Sequence, residues 1–168
     1  MMQNTTLKLY SLDYNDLKTY KMALLFVVAN IVFPQICHYF GTGAVWLPIY
    51  FFTLVGAYKY GWKVGMLTAL FSPLTSHFLF GMPVGIMLPV VMVRSVVLAM
   101  VASAVSFYFK KLSLLLLLLV VVGSFLLGGV ADLLVRGDLY HAWQSQLTGV
   151  PGMLLQIFGG YAVLKALR

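Results

Sequence analysis

Six long apolar stretches run through this 168-residue chain, and they restrict its possible folds more than any other feature. A helix needs roughly 20 residues to cross a bilayer; the second stretch is short and the fourth is long enough to tilt, but all six have a plausible length. The stretches are Tyr20–His38, Ala44–Lys59, Trp62–Phe80, Val84–Phe109, Leu112–Val135 and Leu147–Leu167. Only 9% of the residues are charged, too few to cover a soluble domain. The sequence therefore predicts an all-α integral membrane protein with six transmembrane helices, with residues 1–19 as a cytoplasmic N-terminal tail and 20–168 as the membrane domain.

The distribution of basic residues predicts the orientation of these helices. If six helices alternate across the membrane, most basic residues fall on one side, and the other side receives Arg136, which Asp138 offsets. Lysine and arginine are enriched in cytoplasmic loops, so both termini are predicted to be cytoplasmic. The net charge of +7 then reflects topology and contact with the lipid bilayer, not nucleic-acid binding. The residues on the predicted cytoplasmic side are Lys8, Lys18, Lys21, Lys59, Lys63, Lys110, Lys111, Lys165 and Arg168.

Arg94 is the one charge placed deep inside a predicted span, about ten residues from the outer end of the fourth stretch. An arginine at the bilayer centre costs roughly 2.5–3.5 kcal/mol on insertion scales, so it should face the protein interior and have a partner. Asp132, near the outer end of the fifth stretch, is the only nearby acid. Two interpretations stay open. Arg94 and Asp132 form a bridge between two helices, or the guanidinium fork binds an anionic ligand.

Further polar side chains collect in the same outer half and predict a pocket that opens outward. Asn30 lies in the first stretch, Gln156 in the last, and His77 near the outer end of the third. Two more histidines, His38 and His141, fall in outer loops. The spacing of the three histidines matches no zinc-ligand motif, so no metal site is predicted.

Enzyme chemistry is hard to assemble from these residues. Asp13 and Asp16 lie in the tail and Asp138 in a loop. This leaves Asp132 without the second carboxylate that an intramembrane aspartyl site requires. The sequence contains no nucleotide-binding glycine-rich loop, HExxH or CxxC motif, and its single cysteine, Cys37, rules out a disulfide framework. We expect neither catalytic residues nor a cofactor.

Several short strings follow one another from about Asn30 to the C-terminus. They are Trp46-Leu47-Pro48-Ile49-Tyr50, the glycine series Gly56/Gly61/Gly65, Ser72-Pro73-Leu74-Thr75-Ser76, Gly81-Met82-Pro83, Pro89 ahead of Arg94, and Gly149-Val150-Pro151-Gly152-Met153-Leu154-Leu155-Gln156. In this order they resemble the substrate-binding S-component of an energy-coupling factor (ECF) transporter, a class of prokaryotic vitamin importers.

The resemblance implies a multi-pass protein of the prokaryotic cell membrane with six helices and both termini inside. It implies three partners: a transmembrane coupling subunit and two cytoplasmic ATPases, to which any ATP hydrolysis would belong. It also implies a high-affinity site near the outer surface, built from helices four to six and the outer loops. S-components dock the coupling subunit through spaced small residues of the first helix, for which the candidates here are Thr19, Ala23 and Ala29.

The chain departs from the family pattern at two pocket positions. It has Tyr50 where many relatives carry histidine, and Arg94 where many carry an acid. We therefore expect an anionic, water-soluble vitamin or related micronutrient. The expected substrate-binding residues are Arg94, Asp132, Gln156, Asn30, Trp46, Tyr50 and His77. The alternative is a six-helix membrane scaffold of the cell-envelope, rod-shape machinery, which binds no ligand and keeps Arg94 locked to Asp132.

Overall fold

The computed structural model describes residues 12–39, 48–85 and 87–167, and these ranges are built from helices. A 3-10 turn, Pro48–Tyr50, leads into the second helix, and a π-helical turn, Leu155–Gly159, joins the last two. The helices are α1 Leu17–Tyr39, α2 Phe51–Tyr60, α3 Trp62–Phe80, α4 Leu88–Phe109, α5 Leu114–Arg136, α6 Leu139–Thr148, α7 Val150–Leu154 and α8 Gly160–Ala166. The predicted all-α fold class is confirmed.

Three of these helices, α1, α4 and α5, are long and apolar enough to cross a membrane. Their apolar spans are Leu17–Ile36, Leu88–Phe109 and Leu114–Leu134. Large apolar side chains on their outer faces are exposed, as with Leu24 on α1 and Leu126 on α5. Water-soluble monomers rarely expose such extended apolar surfaces, whereas lipid tails can cover them. The structure thus supports the presence of membrane-spanning helices. That there are six of them remains a prediction.

Helix boundaries differ from the predicted stretches where glycine and proline intervene. Helix α3 has the predicted bounds and ends at Gly81, whose φ of 68° is left-handed. Helix α4 begins at Leu88 instead of Val84, with Pro89 in its first turn, where the missing amide hydrogen is tolerated. The last predicted stretch, Leu147–Leu167, is not one helix: its first two residues end α6, which begins at Leu139, and the rest forms the α7–α8 segment.

The short helix α2 forms the centre of the fold. All its residues except Phe52 are buried, and α1, α3, α4 and α8 pack around it. Gly65 of α3 permits a close approach, because a Cβ at that position would lie 2.6 Å from the Cβ of Ala57. Small residues at such contacts allow helices to associate in lipid, where no hydrophobic effect drives them together. The packing of α2 therefore depends on the glycines noted in the sequence.

The segment before α1 folds back onto the junction between α2 and α3. The Leu12 amide donates to the Tyr60 carbonyl at 3.4 Å, and Lys63 forms an ion pair with Asp13. The Thr19 hydroxyl, fully buried, donates to the Asp13 carbonyl. Residues 12–16 are thus docked on the helices, while residues 1–11 of the predicted tail lie outside the described residues.

The C-terminus and the turn between α4 and α5 meet the same end of α2. The Tyr58 hydroxyl donates to the Lys111 carbonyl at 2.6 Å, and the Lys59 ammonium donates to the Leu167 carbonyl. These contacts gather the lysines of the α2–α3 junction, the α4–α5 turn and the C-terminus at one end, with the start of α1 beside them. We call this end of the molecule the lysine-rich end. Its composition agrees with the alternating topology predicted from the sequence.

Candidate ligand site around Arg94

Arg94 and Asp132 form an ion pair between α4 and α5. The Nη2 atom of Arg94 donates to Oδ2 of Asp132 at 2.9 Å. The Asp132 side chain is fully buried and that of Arg94 is 12% exposed. Arg94 lies six residues after Leu88, the first residue of α4, or about 9 Å along the helix. The predicted ten residues overestimated this depth because α4 begins later than the apolar stretch.

Gly128 allows Arg94 to approach α5 closely. A Cβ at Gly128 would lie 2.8 Å from the Arg94 Cγ, too close for an undisturbed contact. The Gly128 carbonyl accepts a hydrogen bond from the Arg94 Nε at 3.3 Å. The guanidinium carbon lies 5.9 Å from the centroid of the Phe125 ring, within the range of a cation–π interaction. The guanidinium is therefore held in place by a carboxylate, a carbonyl and an aromatic face, all from α5.

A small cavity adjoins this guanidinium. Its volume is about 30 Å³, which is room for about two water molecules. Three of the predicted substrate-binding residues, Tyr50, Arg94 and Gln156, line it together. The complete lining is Tyr50, Arg94, Leu98, Val121, Ser124, Phe125 and Gln156. The cavity is thus water-sized, and its surface is mostly apolar although three hydrogen-bonding side chains and Arg94 border it.

The π-helical turn places Gln156 at this cavity. Gln156 is the second residue of the turn and is almost fully buried. A π turn adds a residue to the helical repeat, and such turns occur frequently at functional sites. Gly159 closes the turn, and a Cβ there would lie 3.0 Å from the ring of Phe51. This close approach brings the C-terminal segment against the start of α2, beside Tyr50.

Two polar residues near the site were not among the sequence candidates. Ser124 lines the cavity. Gln146 of α6 donates to the Phe125 carbonyl at 2.9 Å and so ties α6 to α5. A Cβ at Gly129 would overlap the Gln146 amide. The sequence feature that could have indicated these contacts is the Gly128-Gly129 pair in a leucine-rich helix. Two adjacent glycines leave room for two side chains from neighbouring helices.

Asn30 lies away from this cavity, in a polar cluster that joins α1, α2 and α3. Its Nδ2 donates to the Thr53 hydroxyl at 2.9 Å and to the Ser72 hydroxyl at 3.1 Å. Its Oδ1 accepts a hydrogen bond from the Phe52 amide at 3.1 Å. Asn30 is fully buried, and these bonds compensate the cost of burying its amide. In this structure Asn30 connects three helices and does not line the Arg94 cavity.

His77 also lies outside the cavity lining. Its Nδ1 is 2.7 Å from the Pro83 carbonyl, just beyond the end of α3. Trp46 and the side chains of His38 and His141 lie outside the described residues. Within the ranges that the structure describes, no group of three His, Cys, Asp or Glu residues is placed to hold a metal ion.

The predicted docking residues Thr19, Ala23 and Ala29 all lie on α1. Thr19 is fully buried, Ala23 is nearly so, and Ala29 is half-buried. Their side chains therefore pack largely inside this chain, and larger residues such as Leu24 and Val28 form the exposed face of α1. The docking role of the three small residues remains a prediction.

Comparison of the chain with protein-family models, with curated proteins and with solved structures gave no match.

Proposed function

We propose that this chain is the membrane-embedded, high-affinity substrate-binding subunit of an ECF-type importer for a vitamin or related micronutrient. It is a six-span protein of a prokaryotic cell membrane in this proposal, and it works with a transmembrane coupling subunit and two cytoplasmic ATPases. The chain itself hydrolyses no ATP. The order of its sequence strings, its apolar helices and the Arg94 site support this function.

The observation that carries the proposal is a small cavity beside the buried Arg94–Asp132 ion pair, lined in part by polar side chains. A purely structural bridge needs no adjoining cavity, because its charges are already compensated. Here Tyr50, Ser124 and Gln156 come from three separate elements to line one cavity with Arg94. An anionic group of the substrate would accept hydrogen bonds from the guanidinium, and one charged hydrogen bond contributes roughly 1.5–3 kcal/mol.

Binding requires the cavity to enlarge. Small-molecule sites usually measure about 300–1,000 Å³, ten times or more the volume of about 30 Å³ found here. We place the movement at the contact between α5 and α6, where Gln146 bonds the Phe125 carbonyl. Displacement of α6 from α5 would open the cavity toward the end of the molecule opposite the lysine-rich end.

The test is mass spectrometry of small molecules extracted from the purified protein. We expect one predominant compound with an acidic group from the wild type. Arg94→Ala should retain it roughly 10- to 100-fold less, in line with the loss of one charged hydrogen bond. Arg94→Lys should recover only part of the retention, because it keeps the charge and loses the bidentate fork.

Lys165→Ala is the matched control, since it removes one exposed positive charge from the lysine-rich end, away from the cavity lining. It should retain the compound like the wild type. Equal retention by Arg94→Ala, or no compound from any variant, contradicts the proposal. ATP hydrolysis by the isolated chain would contradict it as well.

The second candidate function, a ligand-free membrane scaffold, is favoured by the 2.9 Å bridge and by the small cavity. It makes a different prediction. Removing one partner of a buried pair leaves the other uncompensated and costs about 3–5 kcal/mol, whereas replacing both with apolar residues is often neutral. A scaffold should therefore be strongly destabilised by Arg94→Leu, be restored by Arg94→Leu with Asp132→Leu, and yield no bound compound.

A further inference from the structure

The turn between α4 and α5 carries a cluster of aromatic and basic side chains that the proposed function does not use. Helix α4 ends in three consecutive exposed aromatic residues, of which Tyr108 is 79% exposed. Lys110 and Lys111 follow directly, and both are exposed. Large aromatic side chains in a row at a helix end lie at a boundary between apolar and aqueous surroundings when the helix spans a membrane.

The backbone of this turn is held in place by the buried end of α2. The Ser106 hydroxyl donates to the Tyr58 carbonyl at 2.5 Å, and the Tyr58 hydroxyl donates to the Lys111 carbonyl at 2.6 Å. Lys110 adopts a left-handed φ of 49° and caps α4 through its amide. Leu112, directly after the turn, is fully buried. The two lysine side chains therefore extend from a backbone that is fixed on both sides.

Other lysines of the lysine-rich end are used within the protein. Lys59 is 5% exposed and donates to the Leu167 carbonyl, and Lys63 pairs with Asp13. The Lys59 contact also brings the C-terminal segment, with the exposed Lys165, to the end of α2 that holds the α4–α5 turn. The exposed Lys165 thus lies at the same end of the molecule as Lys110 and Lys111.

We propose that Lys110 and Lys111 bind the headgroup of an anionic phospholipid. The phosphodiester and any second negative charge lie against the ammonium groups, and the acyl chains run along the exposed apolar face that begins at Phe107 and Tyr108. Lipid is the occupant because the turn joins two helices that are long and apolar enough to span a membrane, so headgroups lie at its level. Charge complementarity selects anionic headgroups, by about fivefold for each lysine near the surface.

The experiment measures binding of fluorescently labelled phosphatidylglycerol and phosphatidylcholine to the full chain in neutral detergent. The test variant is Lys110→Asn with Lys111→Gln, because asparagine tolerates the left-handed φ of residue 110. The matched control is Lys18→Gln with Lys21→Gln, which removes the same charge from exposed positions of α1. We expect the preference for phosphatidylglycerol to fall about 5- to 25-fold in the test variant and less than about twofold in the control.

Lys110→Arg with Lys111→Arg keeps both charges and should keep the preference, which separates loss of binding from loss of folding. If the test and control variants lose the preference for phosphatidylglycerol equally, the preference comes from the overall positive charge of the surface and not from Lys110 and Lys111. This result would overturn the proposal. Equal binding of the two lipids by the wild type would overturn it too. Displacement of the labelled lipid by millimolar inorganic phosphate would identify a site for free anions and not for lipid.

Discussion

A guanidinium inside an apolar helix bundle needs a counter-charge and acceptors for its N–H groups. Arg94 obtains them mainly from one helix, α5. Asp132 supplies a carboxylate, Gly128 a carbonyl and Phe125 a ring face. Because all three lie on α5, this helix and Arg94 form a unit that could move together. Tyr50 and Gln156 line the small cavity together with Arg94, and the proposed function places the ligand there.

Asn30 provides a test of buried polar contacts in the absence of any ligand. Asn30→Ala removes the partner of the Thr53 and Ser72 hydroxyls and of the Phe52 amide. Leaving such groups unsatisfied costs about 1–3 kcal/mol, so we expect the free energy of unfolding in detergent to fall by about that amount. The exposed Gln144→Ala should leave it unchanged. An unaltered stability of Asn30→Ala would show that the cluster is not a structural junction.

The ion pair of Asp13 with Lys63 predicts an acid-dependent loosening of the N-terminal segment. The hydrogen bond from Lys63 holds the pKa of the Asp13 carboxyl below its ordinary value of 3.8. A lowered pKa in the folded state means that the contact stabilises above that ordinary value and is lost as pH falls through the lower one. The ring of Tyr14 packs edge-on against Trp62 at 5.9 Å, so Trp62 fluorescence should report the loss.

The measurement uses a variant in which Trp46 and Trp143 are replaced by phenylalanine. Its Trp62 emission should change as the pH falls below about 3.8. Asp13→Asn should abolish this transition and show the acid-form emission at neutral pH. A transition that persists in Asp13→Asn belongs to another group.

At the scale of helices, α5 makes two adjacent close contacts through its paired glycines. Gly128 accommodates the Arg94 stem and Gly129 accommodates the Gln146 amide. Glycine within a helix normally lowers stability by about 1 kcal/mol relative to alanine. Here the two residues allow α4 and α6 to place polar side chains against the backbone of α5.

Gly128→Ala should displace Arg94 and weaken its hydrogen bond to the Gly128 carbonyl. We expect a loss of about 1–3 kcal/mol in unfolding free energy and reduced retention of the extracted compound. The control is Gly123→Ala. Gly123 lies on the same helix, and a Cβ at this position would have no neighbouring atom within 4 Å. This substitution should be neutral or stabilising by a few tenths of a kcal/mol up to about 1 kcal/mol. Equal effects of the two substitutions would mean that the Gly128 contact has no energetic role.

At the scale of the whole molecule, the lysine-rich end lies at one end of the helices, and Arg94 lies nearer the other end, six residues after the start of α4. The predicted topology places the lysine-rich end in the cytoplasm. In a Cys37→Ala background, a cysteine at residue 141 should react with a membrane-impermeant maleimide in intact cells. A cysteine at residue 110 should react only after the membrane is permeabilised. The reverse pattern would invert the topology and place the cavity on the cytoplasmic side.

The sequence alone determined the helical class, the presence of helices long and apolar enough to span a membrane, and the segregation of charge. The bounds of α3, Trp62–Phe80, agree with the predicted stretch because aromatic and glycine residues end it on both sides. The length of an apolar stretch, and the free-energy cost of placing a charged residue inside it, both depend on neighbouring residues along the chain. A sequence displays these directly. The same reasoning gave an Arg94–Asp132 bridge as one of two interpretations, because Asp132 is the only acid near Arg94 in the predicted spans, and the structure shows the two residues paired.

Only the tertiary structure decided which polar residues share a site. Gln156 reaches the cavity through a π-helical turn, and such a change of helical repeat has no marker in the pattern of apolar residues. Asn30 and Gln156 are both amides in the predicted outer half, yet one joins α1 to α3 and the other lines the cavity. Side-chain proximity depends on helix rotation and on close approaches at Gly65, Gly128 and Gly129, where the absence of a Cβ fixes which faces meet.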